Sequence, residues 1–75
     1  MLKEIKVVCT SGFGIYNGEM LEGEFFEWNE YTATLDEELE EYYIKSDEGY
    51  DHRVAHYEDD DFIIDEDFEL VYISN

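Results

Sequence analysis

The sequence predicts an all-β fold, a small antiparallel barrel or strongly curved sheet of five to seven short strands. Three observations predict it. Apolar residues recur at every second position along most of the chain, not every third or fourth. Turn signals interrupt that alternation at intervals of about 8–12 residues. Seven Tyr, five Phe and one Trp are spread along the sequence, and aromatic residues fit a pleated, half-buried surface.

Ile5, Val7 and Cys9 alternate with Glu4, Lys6 and Val8, giving a first strand with one apolar face. Thr10-Ser11-Gly12-Phe13-Gly14 breaks the pattern and reads as a loop. Asn17-Gly18 is a turn signal, either of a hairpin or within a longer loop. From Glu24 to Trp28 the alternation resumes, with Phe26 and Trp28 on one face and Glu27 on the other. Tyr31, Ala33 and Leu35 alternate with Thr32 and Thr34. Asp36-Glu37-Glu38-Leu39-Glu40-Glu41 is rich in helix formers, but it is short and its Glu residues have no basic partner one turn away. It reads as a charged connection of one turn at most. Tyr42 to Lys45 is a strand, Asp47-Glu48-Gly49 a turn, Arg53 to Tyr57 a strand and Glu58 to Asp61 an acidic turn. Phe62-Ile63-Ile64 and Glu69 to Ile73 are the closing strands, with Asp65-Glu66-Asp67 between them. The expected core draws on Ile5, Val7, Phe26, Trp28, Ala33, Leu35, Ile44, Val54, Phe62, Phe68 and Leu70.

Residues 1–75 are expected to form one small β domain. Acidic chains are often disordered, but disordered chains lack aromatic and β-branched residues, and this one does not. Cys9 is the single cysteine, so no internal disulfide is possible and a reducing cytoplasm is the expected setting. The first residues carry no apolar run of signal-peptide length, and no stretch approaches the roughly 20 apolar residues of a membrane helix. With 4 basic residues against 22 acidic ones, direct binding to nucleic acid or to an anionic membrane lacks the cations that supply its affinity.

Val7-Val8-Cys9-Thr10, a Gly-containing loop and Leu21-Glu22-Gly23-Glu24-Phe25-Phe26-Glu27 together resemble the opening of a group of small SH3-like β-barrel domains. These are domains of phages and low-GC Gram-positive bacteria. Leu21, Gly23 and Phe26 approximate that group's entry into its second strand. The likeness continues through Tyr42-Tyr43-Ile44, Asp47-Glu48-Gly49 and Asp67-Phe68-Glu69-Leu70-Val71. The chain departs at Glu30–Glu41, which reads as an insertion, and at Glu58–Asp61. Asp65-Glu66-Asp67 stands where that group carries basic residues. The resemblance implies an SH3-like barrel and leaves function to be argued from the site.

The formal net charge of −18 exceeds the magnitude of about 2–8 that keeps a small domain soluble. It also opposes compaction by self-repulsion. Residues 36–69 hold sixteen acids and only Lys45 and Arg53 as cations. A domain of this size is roughly 30 Å across, and that length of duplex DNA carries about 18 charges. The charge profile is similar to that of phage-encoded DNA-mimic inhibitors. The bland alternative is a solvated surface. Glu41-Tyr42-Tyr43, Gly49-Tyr50-Asp51 and His56-Tyr57-Glu58 place Tyr beside carboxylates, a combination suited to protein interfaces. The expected partner-binding residues are Asp36, Glu37, Glu38, Glu40, Glu41, Tyr43, Tyr50, Tyr57, Glu58, Asp59, Asp60, Asp61, Asp65, Glu66 and Asp67.

Other chemistries fit less well. Asp59-Asp60-Asp61 and Asp65-Glu66-Asp67 lack the spacing and glycine of a calcium loop. His52 and His56, four apart on a strand, lie about 13 Å from each other and cannot share one ion. Cys9 sits on the apolar face of its strand as a buried thiol. Gly12-Phe13-Gly14 lacks the rest of a phosphate loop. Carboxylate pairs are everywhere, so they single out no glycosidase site. No enzyme activity, cofactor or metal is expected. The expected role is an acidic, phage-encoded inhibitor in the bacterial cytoplasm. It would occupy the basic nucleic-acid-binding surface of a host protein: a defence nuclease, a nucleoid protein or RNA polymerase. The alternative is an SH3-like peptide- or protein-binding adaptor, or a structural subunit, whose acidity serves solubility.

Overall fold

Eight strands account for most of the chain: β1 (Glu4–Cys9), β2 (Phe13–Asn17), β3 (Met20–Phe25), β4 (Glu30–Asp36), β5 (Glu41–Lys45), β6 (Asp51–Glu58), β7 (Asp61–Ile64) and β8 (Phe68–Leu70). They are seen in a computed structural model that describes residues 2–71. Tyr72 and Ile73, expected in the last strand, lie outside the described residues. Among those described there is no helix, and so none long and apolar enough to cross a membrane.

Six strands form one strongly curled antiparallel sheet in the order β7-β6-β5-β4-β1-β8, whose two edge strands are not hydrogen-bonded to each other, while β2 and β3 make a separate hairpin. The fold is therefore all-β and barrel-like, as the alternation predicts. The count exceeds the expected range by one because Phe13–Asn17, half of it expected as loop, pairs with β3. Asn17-Gly18 does open a hairpin turn, with Gly18 at φ 66°. Residues 30–36, expected as part of an insertion, form a central strand between β1 and β5 that contributes Ala33 to the core.

The core contains Ile5, Val7 and Cys9 from β1, Phe25 from β3, Ala33 from β4 and Tyr42 and Ile44 from β5. Val54 and Ala55 from β6 and Phe68 from β8 complete it. Four expected core residues are instead exposed: Phe26 at 44%, Trp28 at 67%, Phe62 at 37% and Leu70 at 53%. For Phe26 and Trp28 the cause is register. Phe13 pairs with Phe25, so Gly23 and Phe25 face inward and β3 ends there. A one-residue shift sends the neighbouring side chain to the other face. Trp28 then lies in a turn, in the left-handed conformation at φ 68°. Phe62 and Leu70 belong to the two edge strands, where no further strand covers them.

Gly23 is the tightest point of the hairpin's seat. A Cβ there would lie 2.8 Å from Cβ of Tyr50 and 3.1 Å from Oγ of Ser46. Glycine at this position is a packing requirement, which lets β3 lie against the β5–β6 connection. Phe13 and Phe25 then stack with His52 at centroid distances of 5.3 and 5.4 Å, and all three rings meet Phe68. These tilted and edge-on contacts close the core from above the sheet.

Candidate functional site: an acidic rim

The meander β4-β5-β6-β7 fixes which loops share an end of the barrel. Each strand reverses direction, so the β4–β5 connection and the β6–β7 turn emerge at the same end. They are tied together by a hydrogen bond from the Tyr57 N–H to the Glu40 carbonyl, 3.0 Å. Asp36, Glu37, Glu38, Glu40, Glu58, Asp59, Asp60 and Asp61 therefore form one rim, and all are exposed. The β7–β8 turn lies at the opposite end. There Asp67 accepts from the Thr10 N–H at 2.8 Å, beyond the far end of β1. Of the expected acidic residues, the structure thus brings together Asp36, Glu37, Glu38, Glu40, Glu58, Asp59, Asp60 and Asp61. Asp65, Glu66 and Asp67 belong elsewhere.

The connection is built by its own residues. Oδ1 of Asp36 accepts from the N–H groups of Glu38 and Leu39, at 3.1 and 3.2 Å, which satisfies donors that a four-residue loop leaves free. Glu40 ends the loop in the left-handed region at φ 55°. Asp59 and Asp60 make the two-residue β6–β7 turn at φ 50° and 69°. Both central positions are left-handed, the hairpin geometry for which Asn-Gly is the preferred pair. Of the four non-glycine residues with positive φ among the described residues, three are acids on this rim. Each holds a carboxylate where glycine would carry less backbone strain. Asp60→Gly is expected to raise stability by about 0.5–1 kcal/mol, measured by urea unfolding, while removing one rim charge.

Cations are distributed differently. Lys6, Lys45 and Arg53 lie on the outer face of the six-stranded sheet and pair there with Glu30 (3.8 Å), Asp51 (3.4 Å) and Glu41 (2.7 Å). Lys3 lies with its backbone next to β4 close to the rim, its carbonyl accepting from the Leu35 N–H. Eight carboxylates span the ends of four adjacent strands, about 14 Å at normal strand spacing. Duplex DNA of that length carries about eight phosphate charges.

Glu41, although in the acidic segment by sequence, is turned away from the rim. It is half-buried on the outer sheet face, accepting from the Tyr43 hydroxyl and from Arg53. The Tyr43 hydrogen bond first, and then Arg53, hold its carboxyl below the usual carboxylate range. Because the folded value is lowered, its contribution to stability is present above the unfolded carboxylate range and is lost as pH falls through the lowered value. Carbon-detected NMR titration is expected to show Glu41 titrating below the usual glutamate range, and Tyr43→Phe should move it back up. Asp65 is likewise engaged, its Oδ2 lying 3.0 Å from His52 Nε2.

Tyr43, Tyr50 and Tyr57 are all half-buried. Tyr43 is occupied by Glu41, Tyr50 packs on Gly23, and Tyr57 stacks with Tyr42 and Phe62 at 6.3 and 5.4 Å. Among the described residues the most exposed aromatics are Trp28 at 67% and Tyr16 at 63%, ahead of Phe26 and Phe62. Tyr16 had a partial signal in the sequence, the Asn17-Gly18 turn beside it. Trp28 had none, because its conformation depends on where β3 stops. His52 faces the ring cluster while His56 lies beside Glu58 on the outer side, so β6 separates the two imidazoles. Cys9 is fully buried, and burial raises its thiol pKa. No protein family, curated protein or solved structure matches this chain.

Proposed function

We propose that this chain is a non-enzymatic inhibitor that occupies the basic nucleic-acid-binding surface of another protein by presenting a DNA-like array of carboxylates. In this reading it is phage-encoded and acts in the bacterial cytoplasm on a defence nuclease, a nucleoid protein or RNA polymerase. The observation that carries the proposal is the placement of Glu40, Asp59 and Asp60 at left-handed positions on one rim. Solubility needs no acid at a strained turn position, because any exposed site would serve it. A surface that must hold charge at one end of the molecule does need it there. The rim's field would steer a basic partner toward it and make association depend on salt.

The test is capture of bacterial lysate proteins on the immobilised chain at low and high salt, beside a chain with neutralised rim acids. One basic nucleic-acid-binding protein, held only at low salt and only by the native rim, is expected. A partner held equally by both chains at high salt would favour the adaptor or subunit reading and reduce the charge to a solubility device.

A further inference from the structure

β7 is one edge of the six-stranded sheet. Its geometry follows from one hydrogen bond. The Asp65 N–H donates to the Val54 carbonyl at 2.7 Å, which makes Val54 and Asp65 a hydrogen-bonded pair. In antiparallel sheets such pairs alternate with non-bonded ones. His56 with Ile63 and Glu58 with Asp61 are then the next bonded pairs in the observed register. The Tyr57 N–H agrees, since it points the other way, to Glu40 on the β5 side. The N–H and C=O groups of Phe62 and Ile64 consequently point off the sheet. The only described strand paired with β7 is β6, and β8 at the other edge pairs with β1.

Backbone groups at such an edge are a template for another strand. Here the template is short, about 13 Å over four residues, and its centre is apolar, with Phe62 and Ile63 exposed at 37% and 38%. Acids bound it at both ends, Asp59 to Asp61 before and Asp65 to Asp67 after. A second copy does not fit. In either orientation, pairing two β7 edges sets acids against acids, and like charges across strands are destabilising. An extended segment with β-branched residues at its centre and Lys or Arg at both ends meets every feature of the edge. We propose that β7 binds such a basic, extended segment of a partner protein by strand addition, with backbone hydrogen bonds to Phe62 and Ile64.

The probe is a labelled peptide, Arg-Lys-Val-Thr-Val-Lys-Arg, titrated into the full chain at low salt and followed by fluorescence anisotropy. Amide hydrogen exchange is read on the same complex. A second peptide of the same sequence and charge carries N-methyl groups on alternate central residues, so it keeps the electrostatics and cannot pair. Expected are slowed exchange at Phe62 and Ile64, no change at Ile63, and about tenfold or greater weakening for the N-methylated peptide. Equal binding of the two peptides would overturn the proposal, as would failure of the first to bind. So would exchange at Phe62 and Ile64 that is already slow in the free chain, or concentration-dependent self-association through this edge.

Discussion

Changing Glu37, Glu38, Glu58 and Asp61 together to Gln or Asn is expected to weaken binding to the proposed basic partner about a hundredfold at low salt. The estimate takes roughly 0.7 kcal/mol per exposed charge, within the range for exposed ion pairs. Four such losses sum to about 2.8 kcal/mol, or two decades in Kd. These four are chosen because the fold does not depend on them. Asp36 is left in place because it supports the loop through its two backbone hydrogen bonds, and Glu40, Asp59 and Asp60 because they set the turn geometry. Glu58 does approach His56 at 3.6 Å, but the carboxylate is well exposed, and such pairs add little. The variant should unfold at the same urea concentration or a higher one, because removing like charges relieves self-repulsion. The salt dependence of its residual binding should also be flatter. Surface plasmon resonance across a salt series reads affinity and slope together. Unchanged affinity would move the interface away from the rim.

The second large effect concerns the core. Phe25→Ala is expected to cost about 3–5 kcal/mol, the range for truncating a buried aromatic. Phe25 is 1% exposed and meets Phe13, Tyr31, His52 and Phe68 at centroid distances from 5.3 to 6.1 Å. Phe26→Ala should cost less than about 1 kcal/mol, since Phe26 is 44% exposed and surface changes away from special features are small. Urea unfolding of the two variants side by side tests the register of β3, because the expected frame places Phe26 inward and predicts the reverse order. A domain of this size has small reserves of stability, so Phe25→Ala could leave the chain largely unfolded. That outcome agrees with the observed register as long as Phe26→Ala stays folded.

The Phe25 and Phe26 pair also shows where sequence reading succeeds and where it stops. β1, β4 and β5 are legible because each has one clean apolar face: Ile5, Val7 and Cys9; Tyr31, Ala33 and Leu35; Tyr42 and Ile44. Leu21 to Trp28 has no clean face. Glu22, Glu24 and Glu27 interrupt three aromatics, and two frames satisfy the alternation about equally. The choice between them is tertiary. It is made by the close approach of Gly23 to Tyr50 and by the pairing of Phe13 with Phe25, neither of which is a local signal. Phe13–Asn17 escapes for a related reason, because Gly14 and the flanking Gly12 imitate a loop.

The acidic segments were legible as charge and illegible as geometry. Sequence order sets 65–67 only three residues beyond 58–61 and leaves 36–41 sixteen residues before it. The meander sends the first two to one end and the third to the other, which only strand order can reveal. Glu41 differs from Glu40 in sequence by a single position. It differs in role because the strand begins there and turns its carboxylate toward Arg53. The left-handed conformations of Asp59 and Asp60 are partly foreseeable, since a two-residue hairpin turn calls for positive φ at both positions. The turn's length, however, depends on the pairing of Glu58 with Asp61.

The central claim is that the rim takes the place of nucleic acid. Titration of duplex DNA into a preformed complex of this chain with its basic partner tests it most directly, with the three components resolved by analytical ultracentrifugation. Duplex and chain are expected to exclude one another, so that each equivalent of duplex bound releases one chain and no ternary species forms. A stable ternary complex of chain, partner and duplex would contradict it.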